Sequence, residues 1–452
     1  MRGAVALSLP VRGRGYGGRV TSDREGSLRS VVVVGGGLAG AQTAAALRAQ
    51  GFDGRVTLLG AEGRAPYDRP PLSKELFERD SPADLVHEVG VDVAALADDL
   101  RPAEPAHALE VRPDGVVVAT SSGEVEADAV VLAVGSRPVV PAGWEAAAVL
   151  HTWDDAARLR ARLTPGARLV SVGAGWIGAE VAGVATKAGC EVVVVEALDV
   201  PLERQLGADV GKHLAPWYAA AGVELRLGEA VVAIRPDDGG DGASVELASG
   251  AVLHGDVVLA AVGARPATDW LRDTLPVDAR GSIAGDAVGR VAPRVYAVGD
   301  CVTRHGTVYG DVPGGHWSAA LHDPESTVRA LLSDLGPGAG AESGVPGHAP
   351  YVFSQQLGHD LALFGTPSAF DEVVLRGLPG HDDGWAALYL DGDNAQTHDG
   401  RPVARLRGVL VVDRHREVGA LRRLLRAGLP LVDVEAAADP SRPLKDAVVI
   451  LP

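Results

Sequence analysis

The chain predicts an α/β protein: two related Rossmann-like nucleotide-binding units followed by a smaller α+β tail. Three observations lead there. A glycine fingerprint follows an apolar run twice, with Gly35, Gly37 and Gly40 after residues 31–34, and Gly173, Gly175 and Gly178 after residues 169–172. Each copy is later closed by a similar apolar phrase, one ending Gly135-Ser136-Arg137-Pro138 and the other Gly263-Ala264-Arg265-Pro266. The spacing also repeats: Gly35 and Gly173 are 138 positions apart, and Gly135 and Gly263 are 128 apart.

Residues 1–29 carry Arg2, Arg12, Arg14, Arg19 and several glycines without sustained periodicity. Pro10 and the Arg/Gly run after it interrupt any signal-peptide core, so this stretch is expected to be a disordered extension without chemistry. The first unit then opens. A continuous apolar run such as residues 31–34 is the pattern of a strand buried on both faces. Gly35 permits the tight turn, Gly37 lets the backbone approach a pyrophosphate, and Gly40 lets the helix pack closely on the strand. Leu38 and Ala39 begin that helix, whose free N–H groups and positive dipole end suit phosphate. The fingerprint also asks for an acid after the second strand, to hold a ribose hydroxyl. Arg55–Leu59 is that strand, and Glu62 is the acid, since Ala61 has no side-chain oxygen.

The second unit repeats this logic with Gly173, Gly175, Trp176, Ile177 and Gly178, then the strand Glu191–Val195 and Glu196 directly at its end. A carboxylate there accepts from a free 2′-hydroxyl and repels a 2′-phosphate. No base lies among Ala197, Leu198 and Asp199, so NADH is expected over NADPH. Two dinucleotides in one chain imply an electron relay rather than a simple dehydrogenase. The apolar strand that ends at Gly299-Asp300 is assigned back to the first unit, which makes the second an insertion. The expected domains are 30–146 with 267–335, then 147–266, a Gly/Pro-rich linker at 336–347, and 348–452. Within the tail, 408–412 reads as a strand and 421–425 as helix.

At 452 residues the chain has room for about three domains. No run of 18 apolar residues suggests a membrane span. The formal net charge of −17 disfavours nucleic acid as a partner. Cys190 and Cys301 form no CxxC pair, and no disulfide framework is implied, which fits a reducing cytoplasm. Zinc-ligand spacing, a Walker loop and HExxH are all missing.

The phrase Pro66-Tyr67-Asp68-Arg69-Pro70-Pro71-Leu72-Ser73-Lys74 is more specific than the glycines. With Gly299-Asp300 and Gly315-His316-Trp317-Ser318-Ala319-Ala320, it resembles the FAD-dependent NAD(P)H:ferredoxin reductases of oxygenase and cytochrome P450 systems. The resemblance implies a split FAD domain, an inserted NAD domain and a C-terminal reductase domain. It implies FAD contacts at Arg69, Lys74, Ala106, Arg137, Asp300, His316 and Trp317, in addition to Gly35, Gly37, Leu38, Ala39, Gly40 and Glu62. NAD contacts would fall at Gly173, Gly175, Trp176, Ile177, Gly178, Glu180, Glu196 and Gly263. Lys74 would pair with Glu180, and with Trp317 these would form the catalytic set. A cation beside the flavin stabilises the negative charge that develops on reduction.

Under the same resemblance, two electrons enter from NADH and leave singly to a [2Fe–2S] ferredoxin or similar carrier, from a monomer or homodimer. Gly315 replaces the family's usual Glu, and Pro350-Tyr351-Val352-Phe353-Ser354-Gln355-Gln356 lacks the usual tryptophan and aspartate. Eight arginines between Arg401 and Arg426 form a basic stretch in an acidic chain, suited to steering an acidic carrier. Two alternatives remain open. One is an NADH oxidase or disulfide-reductase-like flavoenzyme, for which Cys301 beside Asp300 is the available thiol. The other is a redox-sensing flavoprotein of the apoptosis-inducing-factor type.

Overall fold

The computed structural model describes residues 28–450 apart from 239, 241, 337–347, 369, 382 and 393–395. The expected extension therefore lies outside the described residues up to position 27, as does nearly all of the expected linker. Leu28 belongs to the fold: it is buried in the first core, and its N–H bonds the Leu335 carbonyl.

The two fingerprints build the same sheet twice. In the first, the parallel order is Asp99–Arg101, Arg55–Leu59, Ser30–Val34, Ala129–Leu132 and Val295–Ala297, and the edge strand Arg290–Ala292 runs antiparallel to the last. In the second it is Glu224–Arg226, Glu191–Val195, Arg168–Val172 and Val257–Ala260. Thus Val295–Ala297 does return to the first sheet after the second unit. The two closing phrases pair with each other, Ser136–Pro138 antiparallel to Ala264–Pro266.

The glycines follow from contact distances. A Cβ on Gly35 would meet the Ala133 carbonyl oxygen at 2.0 Å, and one on Gly173 would meet that of Ala261 at 2.5 Å. Both residues have positive φ, +132° and +105°. A Cβ on Gly40 would lie 1.9 Å from the Gly35 oxygen, and one on Gly178 would lie 2.0 Å from that of Gly173. Each helix therefore sits too close to its strand for any side chain at that position.

Trp144 packs with Val170, Val172 and Ile234, so the second core starts slightly before the expected boundary at 147. The C-terminal domain is an antiparallel sheet ordered Tyr351–Gln356, His359–Gly365, Arg401–Val412, Trp385–Leu390 and Glu372–Arg376. The expected helix at 421–425 runs instead from His415 to Leu424, and Leu425 opens a 3₁₀ turn. Its amphipathic spacing through Val418, Leu421 and Leu424 carries the helix back past Gly419. Leu202, Leu206, Val210 and Trp217 of the second unit pack against Leu361, Trp385 and Leu410 of this sheet. Trp217 also stacks on His359, with ring centroids 4.1 Å apart. The C-terminal domain is thereby seated on the second unit.

Candidate functional site

Both fingerprints open onto one cleft of about 1440 Å³. Its walls include Gly35, Gly37, Leu38, Ala39, Glu62, Arg69, Lys74, Ala106, Arg137, Asp300, His316 and Trp317 from the first unit. From the second come Gly173, Gly175, Trp176, Ile177, Glu180, Glu196 and Gly263. Gly40 and Gly178 do not line it. Both are packed closely against their strands, in keeping with the helix–strand packing role expected of the third glycine.

The residues present fit two dinucleotides. A Cβ on Gly37 would meet nothing within 4 Å, and one on Gly175 would meet only the Ala261 oxygen at 3.9 Å, so both middle glycines face open space. The helices Leu38–Ala49 and Trp176–Lys187 start without a capping side chain or an acid in the first turn. By contrast, Trp153–Arg162 carries a full capping box from Thr152 and Asp155. The first-turn N–H groups of the two fingerprint helices are therefore left for an outside acceptor, and phosphate is the natural one.

The second-strand acids are held differently. Glu62 pairs with Arg69 and accepts from the Tyr67 hydroxyl at 2.7 Å. Arg69 also donates to the His151 carbonyl at 2.5 Å. Burial pushes the Tyr67 phenol up to about 12, with Arg69 opposing. Glu196 instead accepts two backbone amides, from Ala174 at 2.8 Å and Leu198 at 3.0 Å. It therefore braces the glycine turn in addition to facing the cleft.

Tyr67, Leu72 and Leu76 join the core of the second unit, which carries the short helix Pro71–Lys74 onto the second fingerprint helix. Lys74 Nζ consequently lies 2.8 Å from Glu180 Oε1, with side chains 11% and 2% exposed. A buried pair of this kind is costly to break from one side, because the remaining charge is left without a partner. Lys74 Nζ also lies 4.7 Å from the Phe353 ring centre. Phe353 in turn meets Trp317 edge-on at 5.8 Å. The Trp317 indole N–H donates to Asp68 Oδ1 at 2.9 Å, and burial raises the Asp68 carboxyl above its ordinary value.

Asp300 accepts from Ser136 Oγ at 2.8 Å and from the Gly315 amide at 3.2 Å. Gly315 stands at φ +97°, a conformation that penalises the glutamate usual in the resembled family. His316 caps the helix Trp317–Leu335, accepting the Ala319 amide at Nδ1, and burial lowers its pKa. Arg137 is half exposed and paired with Asp269. Asp68 and Ser73, not among the expected site residues, stand inside a phrase that carries the resemblance, whereas Phe353 and Ser354, also not among them, stand in the phrase that departs from the family's pattern.

Neither cysteine reaches the cleft. Cys301 is 0% exposed, its thiol bonds the Leu132 and Val298 carbonyls, and burial pushes it up to about 12. Burial likewise raises Cys190. These observations remove the support for a thiol-based reading. Among the described residues no helix is long and apolar enough to cross a membrane, and no cluster suited to a metal ion is found.

Of the basic stretch, Arg401, Arg407 and Arg414 are paired with Asp433, Asp371 and Glu417. Arg416, Arg422, Arg423 and Arg426 are exposed on and just after the helix His415–Leu424.

Comparison with known proteins agrees with this geometry. Residues 29–323 match the pyridine nucleotide-disulphide oxidoreductase family, and residues 351–448 match the reductase C-terminal family. Rhodocoxin reductase from Rhodococcus erythropolis is 31% identical over 433 residues, covering 93% of this chain and 94% of the relative. The ferredoxin–NAD(+) reductase component of the anthranilate 1,2-dioxygenase system from Burkholderia cepacia is 33% identical, covering 92% of this chain and 98% of the relative. The structure of the covalent putidaredoxin reductase–putidaredoxin complex superposes with a TM-score of 0.76 at 26% identity, covering 93% of this chain and 98% of that one.

Proposed function

The chain belongs to the pyridine nucleotide-disulphide oxidoreductase family, and from that premise we propose that it is an NADH:ferredoxin reductase serving an oxygenase or cytochrome P450. The observation that carries this reading is the single cleft onto which both fingerprints open, with the Lys74–Glu180 pair between them. The relatives' names supply the acceptor class, since they are ferredoxin–NAD(+) reductases and a putidaredoxin reductase held to putidaredoxin. The electron count closes: one NADH yields NAD+, a proton and two electrons, and two one-electron carriers take them. That neither cysteine reaches the cleft suits a relay that needs no protein dithiol, and the two free thiols, with no disulfide between them, support a reducing, cytoplasmic setting.

Bound FAD would supply the change from two-electron to one-electron transfer. The residues of this chain do the rest. Leu38 and Ala39 would offer amides to its pyrophosphate, Glu62 would meet a ribose hydroxyl, and Arg69, Ala106, Arg137, Asp300 and His316 would hold it along the cleft they line. Gly173, Gly175, Trp176, Ile177 and Gly263 cradle NADH, while Glu196 takes its 2′-hydroxyl. Lys74 keeps a positive charge at the reacting end, Glu180 fixes that charge in place, and Trp317, tethered by Asp68, walls the site from water.

Anaerobic titration of the FAD-loaded protein with NADH tests the reading. Bleaching of the flavin, followed by cytochrome c reduction that depends on an added [2Fe–2S] ferredoxin, is expected. Bleaching without carrier-dependent turnover would refute the acceptor assignment, and a protein unable to take up FAD would refute the whole reading.

A further inference from the structure

Glu180 is a meeting point of all three domains. Its helix belongs to the second unit. Its Oε2 accepts from Ser73 Oγ of the first unit at 2.5 Å. Its Oε1 accepts from Lys74 Nζ at 2.8 Å and from Ser354 Oγ of the C-terminal domain at 2.5 Å. All three side chains at the carboxylate's hydroxyl contacts are buried, Glu180 and Ser73 at 2% and Ser354 at 1% exposure. The Ser354 hydroxyl is also directed from behind: the buried Gln356 amide donates to its oxygen at 3.0 Å, which leaves the Ser354 proton for Glu180. The strand Tyr351–Gln356 thus touches Lys74 twice, through the Phe353 ring and through Ser354 and Glu180.

We propose that Ser354 and Ser73 are positioning residues for electron transfer: by sharing Glu180 with Lys74 they hold the ammonium at the cleft. With both hydroxyls in place, the carboxylate is satisfied on each oxygen without drawing Lys74 fully onto itself. Without Ser354, Glu180 has Lys74 as its only donor on Oε1. It then neutralises the ammonium more completely and pulls it from the Phe353 face. The positive field at the cleft falls, and reduced flavin loses stabilisation. This inference rests on the NADH:ferredoxin reductase reading, and it makes the C-terminal domain part of the redox site rather than only a docking platform.

The test uses the FAD-loaded full chain, with stopped-flow reduction by NADH and the midpoint potential of the bound flavin as readouts. Wild-type reduction by NADH tests the functional reading, and only the difference between wild type and variants tests the proposal. Ser354→Ala is expected to slow flavin reduction about tenfold, the effect of losing one hydrogen bond to a charged group, and to lower the potential. The NADH dissociation constant should stay within about threefold, a change of under 1 kcal/mol. Ser354→Thr retains the hydroxyl and should restore both readouts. An unchanged rate and potential in Ser354→Ala, or equal impairment in Ser354→Thr, overturns the proposal. Should Ser354→Ala not fold, Ser73→Ala acts on the other oxygen with the same expected fall, and unchanged readouts there overturn it equally.

Discussion

Replacing Glu196 by alanine should convert coenzyme choice, and the structure sets the size of the effect. Glu196 accepts the Ala174 and Leu198 amides at 2.8 and 3.0 Å, and the Ala174 amide lies between the two glycines of the second fingerprint. Hydrogen bonds to a charged group contribute about 1.5–3 kcal/mol each. Those two bonds are internal to the protein; the bond that NADH itself loses in Glu196→Ala is one such bond, from its 2′-hydroxyl to the carboxylate. Its loss corresponds to a rise of about 10- to 150-fold in the KM for NADH. NADPH responds in the opposite sense. Two like charges about 4 Å apart near a protein surface repel by about 4 kcal/mol before salt screening, and this repulsion disappears with the carboxylate. Arg204 lines the same cleft and is exposed. The kcat/KM ratio of NADH to NADPH should therefore fall at least about a hundredfold in Glu196→Ala and about tenfold in Glu196→Gln, which keeps one acceptor oxygen. Steady-state turnover with ferricyanide measures both coenzymes without a carrier. A ratio that stays within threefold of wild type, with both coenzymes weakened alike, would show that Glu196 only braces the turn.

The basic helix gives a second prediction. Reversing Arg416, Arg423 and Arg426 to glutamate should slow ferredoxin-coupled turnover about tenfold at low salt, leave ferricyanide turnover unchanged, and flatten the salt dependence of the former. Equal salt responses with the two acceptors would remove the steering role. The third concerns pH. Burial lowers the pKa of His316, and of His151 and His322, below the ordinary 6.5. A depressed imidazole takes up its proton in the unfolded chain first, so the stability it contributes is present above 6.5 and is lost as pH falls. Urea unfolding between pH 7 and 5 should show that loss, at up to about 1.4 kcal/mol per pH unit per histidine. His316→Asn, which retains a capping oxygen, should make the slope shallower, and an unaltered slope would place the proton uptake elsewhere.

The fold was legible because its devices are local. A glycine crowded at 1.9 Å by the carbonyl five residues earlier, and an apolar run buried on both faces, both leave marks at fixed spacing. Arg55–Leu59 and Glu191–Val195 fall where the fingerprint requires them. The pairing of Lys74 with Glu180 joins positions 106 apart and had to come through the resemblance, since nothing local announces it. Ser73 and Ser354 were harder still. A serine has no periodicity and little composition signal, and its importance appears only when three domains bring it against one carboxylate. The helix at His415 was read short because Gly419 and the charged residues around it hide its amphipathic face.

Duplication explains the architecture, yet the two halves have diverged in how they would grip a ligand. Strand order and glycine contacts repeat almost unchanged. In the first half the second-strand acid is gripped by Arg69 and Tyr67, and Arg69 reaches on to the His151 carbonyl at the entrance of the second unit. In the second half Glu196 is met, among the described residues, by the backbone amides of Ala174 and Leu198, and Ile177 and Arg204 stand exposed at the cleft. Side chains that close over a ligand slow its escape, whereas an open amide cradle lets it exchange, because dissociation dominates affinity differences between similar sites. The asymmetry fits the proposed placement of the resident coenzyme in the first half and the exchanging one in the second. Arg69→Ala should release FAD during dialysis while leaving NADH affinity within about twofold. FAD retained as firmly as in wild type would mean that the fingerprint amides alone decide residence.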